Sequence, residues 1–153
     1  MFKIGNSVDI HNLEKSSNLQ KLGGLNLDLG YKILAHSDGD IIFHAISESI
    51  IGALSKGDLG DHFSDKLGKN KNIDSLIILE HSLKLLKNEN YEICNIDLSI
   101  ICENIILNPY KNKIKENLIK LFKIDSINIK ATRFEKESNQ IQCYCVILIK
   151  KII

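Results

Sequence analysis

The sequence predicts an α/β (α+β) fold, a single domain over residues 1–153 in which strands and helices share one layered core. Segments in which apolar residues alternate are interleaved with segments in which they recur every three to four residues, the mark of mixed strands and helices. The chain has 153 residues and shows no internal repeat, low-complexity tract or polar linker, which is one domain's length. Apolar residues make up 44% and charged residues 25%, a globular composition that excludes a disordered polyelectrolyte or a fibre.

Phe2, Ile4, Val8 and Ile10 predict a short strand over 2–11, which turns Asp9 and His11 to one face because strand side chains alternate. Leu25, Leu27 and Leu29, set between Gly23-Gly24 and Gly30, predict a strand or hairpin ending near Leu34. Ser37 to Asp40 offer caps for a helix over 41–55, where Ile42, Ala45, Ile46, Ser49 and Ala53 keep helical spacing. His44 falls one turn after Asp40 and one turn before Glu48, so the three are expected on one face. Asp40 and Glu48 read equally as supports for His44 and as solvent-facing charges. Residues 57–72, with Gly57 and Gly60, read as a long loop, a kind that is usually functional or disordered. Asp74 is the expected cap of a second helix to about Asn88, with Ile77, Ile78, His81, Leu85 and Leu86 inward. Ile96, Leu98 and Ile100 mark one face of a strand over 91–104. Pro109 suits the first turn of a third helix that turns Ile114, Leu118, Ile119 and Phe122 inward and a lysine series to solvent. Strands over 126–135 and 141–152 complete the chain.

A formal charge of +1 gives no electrostatic footprint for nucleic acid or an anionic membrane, so neither is an expected partner and any anion site must be local. The four cysteines form no C-x-x-C pair and lie in apolar segments, where a thiol behaves as a small hydrophobe; Cys143-x-Cys145 reads as buried and apolar. The N-terminus lacks the pattern of a secretory signal, and no run approaches the ~18 apolar residues of a membrane span. A cytoplasmic location is the expectation.

The strongest chemical signal is Asp9-x-His11 together with His44. One carboxylate and two imidazoles are a zinc donor set that leaves a fourth tetrahedral position open for substrate. Taken alone, so short a motif is better read as two surface polar residues and a satisfied core histidine. His62 and His81 read as an ordinary loop residue and helix-face residue.

The context changes that balance. After Asp9-x-His11 come Ala35-His36-Ser37-Asp38-Gly39-Asp40, then His44, then Gly57-Asp58-Leu59-Gly60-Asp61-His62-Phe63, and near the end Lys130-Ala131-Thr132 and Glu135-Lys136. In this order the chain resembles the 2-C-methyl-D-erythritol 2,4-cyclodiphosphate synthase family over essentially its whole length. The resemblance implies a mixed β-sheet with helices packed on one face, assembled as a homotrimer around a central cavity with active sites between subunits. It also implies the reaction: the 2-phosphate of 4-diphosphocytidyl-2-C-methyl-D-erythritol 2-phosphate attacks the β-phosphorus, expels CMP and closes a cyclic diphosphate, in the non-mevalonate route to isoprenoid precursors.

By the same resemblance Asp9, His11 and His44 hold Zn²⁺, and Glu135 holds Mg²⁺ or Mn²⁺, a harder cation suited to oxygen ligands. Asp58 and Glu135 are the residues assigned to catalysis. His36 and Ser37 bind substrate phosphate where a loop enters a helix N-terminus. Asp58 and Gly60 take the erythritol, with Phe63 and Asp65 in the neighbouring loop. Cys102, Glu103, Asn104, Ile105, Ile106 and Leu107 align with the cytidine pocket, joined by Ala131, Thr132, Arg133 and Phe134. The chain departs from the family there: the pocket lysine is missing, and Arg133-Phe134 stand where threonines are usual. On a strand, Arg133 either turns inward to supply charge or faces solvent. The following glycine- and arginine-containing loop is shortened to Glu137-Ser138-Asn139-Gln140. Other readings of the same residues are a metal-binding trimeric scaffold that has lost catalysis and a zinc phosphohydrolase.

Overall fold

Two long strands form the spine of the molecule. In the computed structural model, which describes residues 1–153, β1 (Phe2–Lys15) pairs antiparallel with β7 (Gln140–Lys151) from Phe2 against Lys150 to Asn12 against Gln140. β4 (Tyr31–Leu34) continues the sheet beyond β1, and β5 (Tyr91–Cys102) and β6 (Ile127–Thr132) continue it beyond β7, giving the order β4-β1-β7-β5-β6. All neighbours are antiparallel except β5 and β6, whose parallel pairing requires a crossover; α4 (Asn108–Phe122) supplies it. β2 (Gln20–Leu22) and β3 (Leu25–Leu27) form a separate hairpin closed by Gly23 and Gly24. Both glycines have positive φ, as a two-residue hairpin turn demands.

The helices cover one face of the sheet. Alternation puts Ile141, Cys143, Cys145, Ile147 and Ile149 of β7 and Ile96, Leu98, Ile100 and Cys102 of β5 beneath them, all buried. Burial raises both strand-β7 thiols, Cys145 to about 12, so they remain neutral and apolar. Helix α1 (Ile41–Ala53) is buried nearly all round because it has the sheet on one side and α3 (Ser75–Asn88) against it. Only His44, Glu48 and Gly52 escape full burial. At Gly5, α1 meets β1 with no side chain between them: a Cβ there would lie 1.9 Å from the Ser49 carbonyl oxygen. Ser7 Oγ donates to the Ala45 carbonyl at 2.6 Å and accepts from Ser49 Oγ at 2.9 Å, so the polar groups trapped in this contact are paired.

Several expectations change. The first strand continues to Lys15, since Leu13 also packs inward. Residues 25–34 split between two sheets instead of forming one unit. The segment 57–72 contains α2 (Leu59–His62) and a 3-10 turn at Gly68–Asn70. Ile77 is exposed, because the buried stripe of α3 runs through Ser75, Ile78, Leu79, Ser82 and Leu86. Strand β6 stops at Thr132, three residues short of Glu135, which sits in the left-handed region at φ 59°.

Asp40 is neither a support for His44 nor a surface charge. It is fully buried, caps α1 by accepting from the Phe43 N–H at 3.1 Å, and takes the Gly23 and Gly24 N–H groups at 2.9 and 2.7 Å. Its i, i+4 spacing to His44 places their Cα atoms on one helix face. The cap geometry turns the carboxylate back to the helix start and the hairpin turn.

Candidate metal centre and active-site clefts

Asp9 and His11 lie on the inward face of β1, in phase with Gly5 and Ser7, so they point at α1 where His44 opens from the helix. One donor atom from each of the three lies within 4.8 Å of the others. His11 Nε2 is 3.1 Å from Asp9 Oδ1 and His44 Nδ1 is 3.6 Å from Asp9 Oδ2. Asp9 Oδ2 is buried with no hydrogen-bond partner, a cost that a bound cation removes.

Each imidazole is oriented from behind. His11 Nδ1 lies 3.0 Å from the Leu34 carbonyl, which can only accept, so that nitrogen carries the proton and Nε2 faces the centre. On the other side, His44 Nε2 is 3.0 Å from Ser75 Oγ, and Ser75 Oγ donates in turn to Asp38 Oδ1. The serine therefore accepts from His44 Nε2–H and leaves Nδ1 free toward Asp9. The Asp9 hydrogen bond raises the His11 pKa, whereas burial lowers that of His44. Burial pushes Asp38 up, but the hydroxyl and N–H of Ser75, the Asp40 N–H and the charge of Lys21 outweigh it and hold the carboxyl below its usual range. Two imidazoles and one carboxylate with an open position fit a borderline divalent ion. Ser75→Ala frees the His44 tautomer, and divalent-metal affinity is expected to fall about 10–100-fold. Competition with a chromophoric chelator measures this, and unchanged affinity would remove Ser75 from the support of His44.

The centre forms the wall of a cavity of about 230 Å³, also lined by His36, Ser37, Glu48, Gly60, Phe63 and Asp65. Asp58 is not among its lining residues: its carboxylate caps α2 by accepting from the Asp61 N–H, with Asp61 reciprocating to the Asp58 N–H. The N–H cradle expected before α1 is partly engaged by the protein itself. Gly39 N–H donates to Ser37 Oγ, Asp40 N–H to Asp38 and Phe43 N–H to Asp40. The Ser37 hydroxyl proton and the His36 ring are left for an anion at this corner, beside the first N–H groups of α1. Glu48, raised by burial, accepts from the Leu59 N–H and ties α2 to α1.

His62 and His81 are not independent bystanders. His62 Nε2 donates to the Lys56 carbonyl, leaving Nδ1 to accept from His81 Nε2 at 3.0 Å. The edge-on packing of Phe63 against His81 ties the same loop to α3. Ser75, Asp38 and His81 carried no sequence signal for these roles, because each pairing joins elements that meet only in the folded chain.

A second, smaller cleft of about 110 Å³ lies past the C-terminal ends of the parallel strands β5 and β6, lined by Cys102, Glu103, Ile105, Ile106, Leu107, Asn108, Ala131, Thr132 and Arg133. It shares no lining residue with the metal-bearing cavity. Asn104, Phe134 and Glu135 do not line it. Arg133 lies just beyond the strand and takes the solvent-facing alternative, its side chain 71% exposed and ion-paired with Glu103.

The YgbB family model matches residues 2–150. The chain belongs to the YgbB family. This YgbB-family chain is 42% identical to the 2-C-methyl-D-erythritol 2,4-cyclodiphosphate synthase of Leptospira borgpetersenii serovar Hardjo-bovis, over 99% of both proteins. It is 40% identical to the enzyme of the same name from Fusobacterium nucleatum, over 99% of this chain and 98% of that one. Among solved structures, a 2C-methyl-D-erythritol-2,4-cyclodiphosphate synthase superposes with a TM-score of 0.88 at 26% identity, covering 97% of this YgbB-family chain and all of that one. The Plasmodium falciparum IspF–CDP complex superposes with a TM-score of 0.84 at 30% identity, covering 99% and 97%.

Proposed function

We propose that the chain converts 4-diphosphocytidyl-2-C-methyl-D-erythritol 2-phosphate to 2-C-methyl-D-erythritol 2,4-cyclodiphosphate with release of CMP. The convergence of Asp9, His11 and His44 beside the cavity that holds His36, Ser37 and Gly60 carries this reading. It is supported by end-to-end similarity to proteins that bear the synthase name.

In this reaction an oxygen of the 2-phosphate bonds to the β-phosphorus as the bond from that phosphorus to the CMP oxygen breaks, so no water is consumed. Positioning and charge neutralisation govern such a step more than base strength does. Asp9, His11 and His44 would hold Zn²⁺, and Glu135 would offer its carboxylate to Mg²⁺ or Mn²⁺; these cations supply Lewis-acid neutralisation of the diphosphate oxygens. Ser37 donates its hydroxyl proton to a phosphate oxygen. Asp58, two residues before the cavity-lining Gly60, accepts from an erythritol hydroxyl, Gly60 leaves room for the sugar backbone, and Phe63 and Asp65 close the side toward solvent. Residues 102–107 and 131–134 receive the cytidine through backbone groups, because the usual pocket lysine is absent.

The uncovered face of the sheet is the surface for self-association. Phe2, Ile4, Val8 and Ile10 of β1 and Tyr144 and Val146 of β7 are exposed there, with Val8 directly across from Tyr144. A homotrimer packed on this face would set the nucleotide cleft of one subunit against the metal-bearing cavity of another, joining two clefts that one chain keeps separate. Free thiols suit work in the reducing cytoplasm.

Incubating the protein with the cytidylyl substrate, Zn²⁺ and Mg²⁺ should yield CMP and a cyclic diphosphate in equal amounts, read by chromatography and phosphorus NMR. Noncyclic products would support a phosphohydrolase, and no product at high enzyme a scaffold. Sedimentation should give three times the 17.3 kDa chain mass.

A further inference from the structure

The loop after β6 is fastened to the loop after β5 by the side chains of Glu103, Asn104 and Arg133. One carboxylate oxygen of Glu103 takes the Arg133 guanidinium, and the other accepts the Glu135 backbone N–H at 3.1 Å. Next to it, Asn104 Nδ2 donates to the Ser138 carbonyl at 3.0 Å. The Glu103 side chain is only 15% exposed, whereas Arg133 is mostly in solvent, so Glu103 is the fixed partner and the loop is what it holds. Glu135 needs holding: at φ 59° it occupies a conformation that few non-glycine residues adopt, and its N–H bond to Glu103 is the contact that fixes it.

We propose that Glu103 is a positioning residue: its two carboxylate oxygens set the 133–138 loop so that Glu135 is presented to the cation and Arg133 is kept at the mouth of the nucleotide cleft. This rests on the reading of Glu135 as a cation ligand. It assigns to the Glu103 side chain a role separate from the cytidine contacts of the surrounding backbone. A charge-assisted bond to guanidinium and a carboxylate–N–H bond are among the stronger of their kinds, and one side chain makes both.

The chain contains a single arginine, so an arginine-specific endoprotease cleaves only after Arg133 and reports directly on the order of this loop. Glu103→Ala should be cleaved at least about tenfold faster than wild type. It should also bind Mn²⁺ in the presence of CDP about tenfold more weakly by electron paramagnetic resonance, and lower kcat by a similar factor with little change in zinc content. Glu103→Gln separates the two bonds: its amide oxygen still accepts the Glu135 N–H, while its NH₂ cannot pair with Arg133. Mn²⁺ affinity should therefore recover in Glu103→Gln, and cleavage should stay fast. Equal cleavage and equal Mn²⁺ affinity in wild type and Glu103→Ala would overturn the proposal, as would a Glu103→Gln variant no better than alanine in Mn²⁺ binding. If wild type released no CMP while these contrasts held, the cyclisation reading would fail and the positioning role would stand.

Discussion

His44→Ala removes CMP release and empties the metal centre while leaving the fold in place. His44 is one of only three donors, and the loss of a Lewis acid that stabilises transition-state charge by several kcal/mol corresponds to at least about 10³-fold in rate. The ring lies at the cavity wall and is not part of the apolar core, so circular dichroism and the melting temperature should change little. Metal analysis after dialysis should show a marked loss of zinc relative to wild type. Full zinc content with full turnover in His44→Ala would remove the assigned centre, and with it the proposed reaction.

The largest effect on stability belongs to Asp40. Asp40→Ala leaves the buried N–H groups of Gly23 and Phe43 without an acceptor, each costing about 1–3 kcal/mol, and frees the Gly24 N–H at the exposed turn, so a total loss of roughly 3 kcal/mol is expected. Asp40→Asn keeps one acceptor oxygen but turns an NH₂ toward a backbone donor, and should recover only part of the loss. The pH dependence has a definite sign. Burial raises this carboxyl from 3.8 to about 6, against the pull of its N–H donors, so the folded state holds the proton more tightly than the unfolded chain. Its contribution to stability is therefore greatest below 3.8, declines as pH rises to about 6, and is level above that. Urea titrations of wild type and Asp40→Asn between pH 4 and 7 should differ by this slope. A constant difference would show that Asp40 does not titrate in this range.

What the residues reveal locally, they reveal well. Alternation put Asp9 and His11 on one face, and Asp40, Asp74 and Pro109 marked helix starts that the structure retains. These signals depend on backbone periodicity and on bonds within a few residues. Ile77 shows their limit: periodicity marks an apolar residue, but the orientation of α3 against α1 decides which stripe is covered. Asp40 shows another, since helical spacing relates Cα positions and not the direction of a capping side chain. The support behind His44 was invisible because Asp38 and Ser75 are 37 residues apart and meet only when the start of α3 docks against the loop before α1. The Glu103 contacts likewise cross 30 and 32 residues between two loops. The metal donors themselves became legible only through the order of several motifs, not through Asp-x-His alone.

The seam at Gly5 has a consequence for how the centre captures its ion. Because strand and helix touch there without slack, the spacing between the carboxylate and imidazole on one element and the imidazole on the other is established during folding. The entropy of gathering the ligands is spent before any ion arrives, so capture is a rigid-body event with little backbone rearrangement. A single methyl group at Gly5, four residues from the nearest donor, would therefore pry the ligand set apart and weaken the ion's hold without touching any atom that binds it.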